Sequence, residues 1–220
     1  MESPLIIIGA GGHGAEIAAY ARDMGLLFAG AIDDGKSRGA WQLSQIIGGV
    51  NDLPAFCGDH ALVHFITAFG GNELRKKMVS KITSLGLCNL KPFTLRHPSA
   101  WTGVGVQIGE GALLAPNVVV TTRARIGRHC ILNVKASISH DCRIGDFVNI
   151  NPAAILCGNV TVGDGSFIGA GVVVKEKIKI GRGVTVGAGA VVIRDLPDGA
   201  TAVGVPARVI KQNLTEWVSI

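Results

Sequence analysis

Taken in steps of six from Ile108, the second half of the chain meets Ile, Leu or Val fifteen times in succession, ending at Val192. Two residues before each stands a second column, from Val106, Ala112 and Val118 to Val184 and Ala190, almost all small or β-branched. A period of six fits neither the 3.6-residue turn of a helix nor the strict alternation of a half-buried strand. It fits short strands joined by tight turns, and Gly109, Gly127, Gly145, Gly163, Gly169, Gly181 and Gly187 are expected to permit those turns. Three hexapeptides close one triangular coil, so the register predicts five stacked coils of a left-handed parallel β-helix. Stacked coils bury their core only against one another, and each end needs a cap. Residues 91–105, with "HPSA", are read as the opening coil, and the aperiodic "DLPDGATAVGVPARVIKQNLTEWVSI" as the closing cap.

The first half follows another rhythm. An apolar run, "PLIII", leads into "GAGGHG" at residues 9–14 and then into the helix-like "AEIAAYARDMG". A second strand, "LLFAGAIDD", a linker rich in Gly and Asp, a third strand, "ALVHFITAFG", and a helix, "NELRKKMVSKITSLG", complete a small Rossmann-like βαβαβ unit with a parallel sheet. The predicted organisation is an α/β domain at residues 1–90, the β-helix at 91–197 and a C-terminal cap at 198–220. Gly9, Gly11 and Gly14 have the G-x-G-x-x-G spacing of a turn that cradles phosphate, where free N–H groups and the helix dipole converge. Asp33 or Asp34, about 20 residues on, could take a ribose hydroxyl, and His13 faces whatever phosphate binds. The domain is about half the size of a dinucleotide fold, so a mononucleotide is expected rather than NAD.

Composition narrows the partners. With 48% apolar and 17% charged residues the chain has a soluble, globular balance. No apolar run reaches the roughly 20 residues of a membrane span, and an acid stands where a signal peptide carries Lys or Arg, so the cytoplasm is expected. Five cysteines without a C-x-x-C pair argue against a disulfide framework or zinc knuckle and read as small core fillers. The net charge of +5 has no Lys/Arg block behind it and only eleven aromatics beside it, which suits small anionic ligands better than nucleic acid or a membrane surface.

Inward positions of a β-helix are sealed, so chemistry belongs at the corners. His140 and Asp141 follow the inward Ile138 at a turn; an imidazole titrates near neutrality, and an adjacent carboxylate can fix its tautomer. Eighteen residues on, directly above in the stack, Gly158 leaves a backbone N–H open to bind a developing oxyanion. Asn133 and Asn151, also 18 apart, are expected to form a hydrogen-bonded ladder. His60, His64 and His97 read as surface or packing residues, and no histidine spacing suggests a metal site.

In combination and order, "GAGGHG", "FGGNELRKK", "HPSA", "SHDCRIGDFVNINPAAILCGNVTVGDGSFIGAGVVV" and "GVPARVIK" resemble the NeuD/PglD-type sugar acetyltransferases over essentially the whole chain. That resemblance implies a homotrimer with sites between subunits, using acetyl-CoA to acetylate the 4-amine of a nucleotide-linked 4-amino-4,6-dideoxy sugar for bacterial glycan or polysaccharide biosynthesis. UDP is favoured, with GDP or dTDP as options. It implies His140 as base, Asp141 as its orienting acid, Gly158 as donor to the acetyl carbonyl, and Asn149, Ala170 and Ala188 along the CoA groove. Gly12, His13, Gly14, Asp33 and Asp34 would hold the nucleotide sugar. Arg208 and Lys211 are added for the CoA phosphates on charge and position. A sugar O-acetyltransferase of the sialic-acid type and a non-catalytic nucleotide-sensing solenoid remain alternatives, and an NAD-dependent dehydrogenase is the most remote.

Overall fold

The computed structural model describes residues 3–26, 28–42, 44–213 and 217, which divide into two compact units, 1–97 and 98–220. In the first unit, β1 (Leu5–Ile8), β2 (Phe28–Ile32), β4 (Ser44–Gly48), β5 (Val63–Thr67) and β6 (Leu90–Pro92) run parallel, and β3 (Gly39–Trp41) joins antiparallel at the edge. The order is β3-β4-β2-β1-β5-β6. All four residues of β1 are buried, as a central strand covered on both faces requires. Ile6, Ile8, Ile32, Phe65 and Ile82 form its main core. Helices α1 (Gly12–Asp23), α2 (Leu53–Gly58) and α3 (Asn72–Thr83) supply the cover. The stretch expected as a bare linker therefore carries β3, β4 and α2. These elements are only three to six residues long, too short for periodicity to distinguish from loop. The expected boundary at 90/91 falls inside β6, which pairs with β5 and stays in the first unit.

The second unit is the β-helix. Two-residue strands repeat along three parallel sheets, and residues 18 apart pair directly: Val120 with Ile138, Ile126 with Ile144, Leu132 with Ile150. Every member of the large column from Leu114 to Val192 is buried, and so is every member of the small column from Ala112 to Ala190. Only the first of each, Ile108 and Val106, is partly buried instead, because it stands at the end of the stack. At the other end Ala200–Val203 pairs parallel with Thr185–Val186 and antiparallel with Arg208–Gln212, so a hairpin closes the last coil.

Two local readings change. The seven corner glycines do not supply left-handed turns; that conformation falls at other positions six apart, including Arg123, His129, Lys135, Asp141 and Phe147. Gly109, Gly127, Gly145, Gly163, Gly169 and Gly181 are small because the next coil's backbone or an aspartate packs against them, and Gly187 because the Val203 side chain does: a Cβ on Gly163 would lie 2.6 Å from Gly181 C and Arg182 N. Asn133 and Asn151 do not bond each other either. Asn133 Oδ1 accepts from Val134 N at 2.7 Å, and Asn151 Nδ2 donates to Ile168 O at 2.8 Å. Of the cysteines, Cys57, Cys130 and Cys142 are buried, with burial pushing the Cys142 thiol up to about 11, but Cys88 is exposed and fills no core.

Candidate active site

The outward residues of the three sheets differ. One face carries Gln107, Arg125, Arg143, Thr161 and Lys179 and is basic. The next carries Trp101, Val119, Ser137, Ile155, Val173 and Val191 and is apolar, with Trp101, Val119 and Ile155 exposed. His140, Asp141 and Gly158 sit on the edge between these two faces.

Backbone bonds between coils hold that edge: Asp141 N donates to Thr122 O at 3.1 Å, Asn159 N to His140 O at 2.9 Å and Lys177 N to Gly158 O at 2.9 Å. His140 is about half exposed and its Nδ1 lies 2.8 Å from Asp141 Oδ2. A carboxylate at that distance accepts, so in the neutral ring the proton stands on Nδ1 and the lone pair is on Nε2. The far side of the ring lies over Gly158, where an added Cβ would be 2.6 Å from both Nε2 and Cε1. The neighbouring amides Cys157 N and Asn159 N are bound to Val174 O and His140 O, whereas Gly158 N–H has no acceptor among the described residues. A base and an open amide thus stand side by side, the pair needed to deprotonate a nucleophile and receive an oxyanion.

One member of this corner escaped the sequence reading. Arg123, one coil below, donates Nε–H to Asp141 Oδ1 and Nη2–H to Asp141 Oδ2, both at 2.8 Å. Its guanidinium, and after it His140, hold the Asp141 carboxyl well below the usual carboxylate range. Stepping back 18 residues from Asp141 meets an opposite charge at Arg123, a signal present in the sequence and not used.

The residues assigned to the CoA groove are spread more widely. Ala170 and Ala188 are exposed and stacked, Gly189 N donating to Ala170 O at 2.8 Å, on the edge between the apolar face and the third face. Asn149 is buried on the third face between Ile131 and Phe167. Arg208 and Lys211 lie exposed on the closing hairpin.

In the first unit the carboxyl ends of β1 and β5 lie side by side where the connection from β1 runs to β2 on one side and that from β5 to β6 on the other, the position at which open α/β sheets bind ligands. Packing sorts the glycines of the turn. Gly9 has φ +108°, and an added Cβ on Gly14 would overlap Gly9 O, so both are structural. Gly11 and Gly12 face open space at the start of α1. His13 Nδ1 lies 3.1 Å from Glu16 Oε2, while its buried Nε2 has no partner among the described residues. Asp33 is turned to the backbone, accepting from Ala10 N at 2.7 Å and Gly35 N at 2.9 Å. Asp34 accepts from Val50 N at 2.7 Å and Lys81 Nζ at 2.8 Å, which hold its carboxyl below the ordinary range. Each oxygen keeps a second lone pair, but Asp33 first fastens the glycine turn and Asp34 ties β2 to Val50 and α3.

A β-helix of hexapeptide coils with a His–Asp pair and an open amide at one corner, attached to an α/β unit with a glycine turn, has the build of a hexapeptide-repeat acyltransferase. Residues 4–82 match the PglD N-terminal domain, residues 141–176 and 159–194 the bacterial transferase hexapeptide, and residues 100–122 the hexapeptide repeat of succinyl-transferase. A search of proteins with curated functions finds no match. Among solved structures the chain is similar to a histidine-to-asparagine variant of perosamine N-acetyltransferase from Caulobacter crescentus in complex with CoA and GDP-perosamine. They share 32% identity over 95% of this chain and 97% of the other, with a TM-score of 0.90. It is similar also to the acetyltransferase domain of PglB from Neisseria gonorrhoeae with acetyl coenzyme A (32% identity, 96% and 100% covered, TM-score 0.85) and to WeeI from Acinetobacter baumannii (31%, 94% and 100%, 0.85). The chain belongs to the PglD-type hexapeptide-repeat sugar acetyltransferases, and its β-helix is the left-handed one of that superfamily. It is an acetyl-CoA-dependent acyltransferase.

Proposed function

We propose that this chain acetylates the amine of a nucleotide-linked 4-amino-4,6-dideoxy sugar. The observation that carries the proposal is the His140 imidazole, tied through Nδ1 to Asp141 and lying over Gly158. As the sugar nitrogen attacks the thioester carbonyl, His140 Nε2 takes its proton. Gly158 N–H receives the oxyanion, and collapse of that adduct expels the CoA thiolate, which recovers a proton from the imidazolium. In the first unit the phosphates are placed at Gly11 and Gly12, with His13 Nε2 as a donor or acceptor toward the sugar nucleotide. What favours a GDP-linked acceptor is the GDP-perosamine in the similar Caulobacter enzyme; the expectation of UDP has nothing behind it.

The active unit is proposed to be a homotrimer. His140 and Gly158 stand on one edge of the apolar face, Ala170 and Ala188 on its other edge, so a base and a CoA groove meet only when a second copy packs beside the first. The exposed Trp101, Val119 and Ile155 between the two edges suit such a contact. Acetyl-CoA is a metabolite of the cytoplasm, and the reaction is placed there; no helix among the described residues is long and apolar enough to cross a membrane.

The test is CoA thiol release against a panel of GDP-, UDP- and dTDP-linked 4-amino sugars and a free sialic acid. Release is expected with the GDP-linked amine, and His140→Ala should reduce it by a factor of about 10² or more with acetyl-CoA affinity little changed. Release with the sialic acid alone would make the enzyme an O-acetyltransferase, and undiminished turnover in the His140 variant would remove the base from this corner.

A further inference from the structure

Arg123 contacts neither His140 nor Gly158, yet the fold takes trouble over it. Residues 18 apart stand above one another at each corner, and Arg123 and Asp141 occupy the same position of successive turns, with φ of 59° and 61°. The guanidinium meets the carboxylate through two parallel bonds of 2.8 Å, the bidentate arrangement that constrains a carboxylate's plane as well as its place. One of the two oxygens so gripped, Oδ2, is the one that faces His140 Nδ1 at 2.8 Å. The chain of contacts runs Arg123, Asp141, His140, Gly158, each on the next coil or the next residue.

Resting on the reading of His140 as the base, we infer that Arg123 is a positioning residue for the reaction, acting through Asp141. Without it Asp141, on an exposed corner, has a single remaining side-chain contact and is free to rotate about its own bonds. The neutral imidazole then loses the fixed acceptor that keeps its proton on Nδ1, and a fraction of the molecules carries the proton on the nitrogen that must accept one. Arg123 also supplies the countercharge to the Asp141 carboxylate. Lysine at this position offers the charge but not the fork, and should serve only in part.

The test uses the full-length enzyme with acetyl-CoA and GDP-perosamine. Arg123→Met should lower kcat by about tenfold, on the low side of the loss of a general base itself, with KM for either substrate within about twofold of wild type. Arg123→Lys should recover a substantial part of that loss. In an Asp141→Asn background the same Arg123→Met change should cost less than about twofold, because the residue through which it acts is already gone. An Arg123→Met enzyme with wild-type kcat, a change confined to KM, or losses that multiply with Asp141→Asn would overturn the inference. His140→Ala measured beside them separates the two readings. If it too keeps wild-type turnover the base assignment has failed; if it alone is inactive, only the role of Arg123 has.

Discussion

The glycine turn of the first unit and the histidine corner of the β-helix both place glycine where a side chain would not fit or would fill open space, but for different reasons. In the turn, the constraint comes from inside the unit: Gly14 packs on Gly9, and Gly11 and Gly12 are left open by the geometry that this contact imposes. At the corner, the constraint comes from stacking: Gly158 is bare because the side chain of His140, one coil below, occupies the space a Cβ would need. Gly14 lets backbone pack on backbone, and Gly158 makes room for the imidazole of His140.

Glycine-to-alanine changes separate the two uses. Gly158→Ala should give the largest effect, a fall in kcat of about 10² or more, since the new methyl displaces the imidazole from the open amide. Its thermal midpoint should hardly move, because the imidazole is half-exposed and can swing into solvent. A variant that unfolds early instead would show that the corner is a packing device. Gly14→Ala should reverse the pattern, losing about 1–3 kcal/mol of stability in a denaturant titration because backbone must give way. Gly12→Ala, in open space at the first turn of α1, should leave stability unchanged or slightly raised while weakening nucleotide-sugar binding. Equal stability for these two alanine variants would break the distinction drawn within the turn.

The smallest effect concerns the pair that fastens Asp34. Its carboxyl is held low by Lys81 and Val50 N–H, so its stabilising contribution is present above the ordinary carboxylate pKa of about 4 and is lost as pH falls through the lowered value. Lys81→Met should therefore cost about 0.5 kcal/mol or less near neutrality, both partners being about half exposed, and the difference from wild type should vanish in acid. Stability curves against pH that stay parallel into acid would place the role of Lys81 elsewhere.

Much of the second unit was legible because a β-helix writes its geometry into a fixed period. Leu114 to Val192 and Ala112 to Ala190 point inward for no reason other than their place in the step of six, and His140 falls at a corner by the same count. The corner glycines were misjudged because a tight turn and a close neighbouring coil both call for glycine, and only coordinates tell φ from contact. In the first unit the strands β1, β2 and β5 were legible because each lies in an apolar stretch longer than the strand itself, "PLIII", "LLFAGAI" and "ALVHFITAF". The β3–β4 hairpin was not, since short edge strands among glycines resemble a loop. Asp33 and Asp34 stood at the right place along the chain for a ribose. Their partners Ala10, Gly35, Val50 and Lys81 come from up to 47 residues away.

By itself, the sequence determined the period, and with it the coil, the inward columns and the corner on which the histidine stands, because in a stacked solenoid contacts follow from counting. Only the tertiary structure decided which oxygen of Asp141 faces the imidazole, that Arg123 grips the same carboxylate, and that Gly14 is a packing residue while Gly12 is open. Those depend on rotamers and approach distances, which a periodic register constrains to a neighbourhood but does not specify.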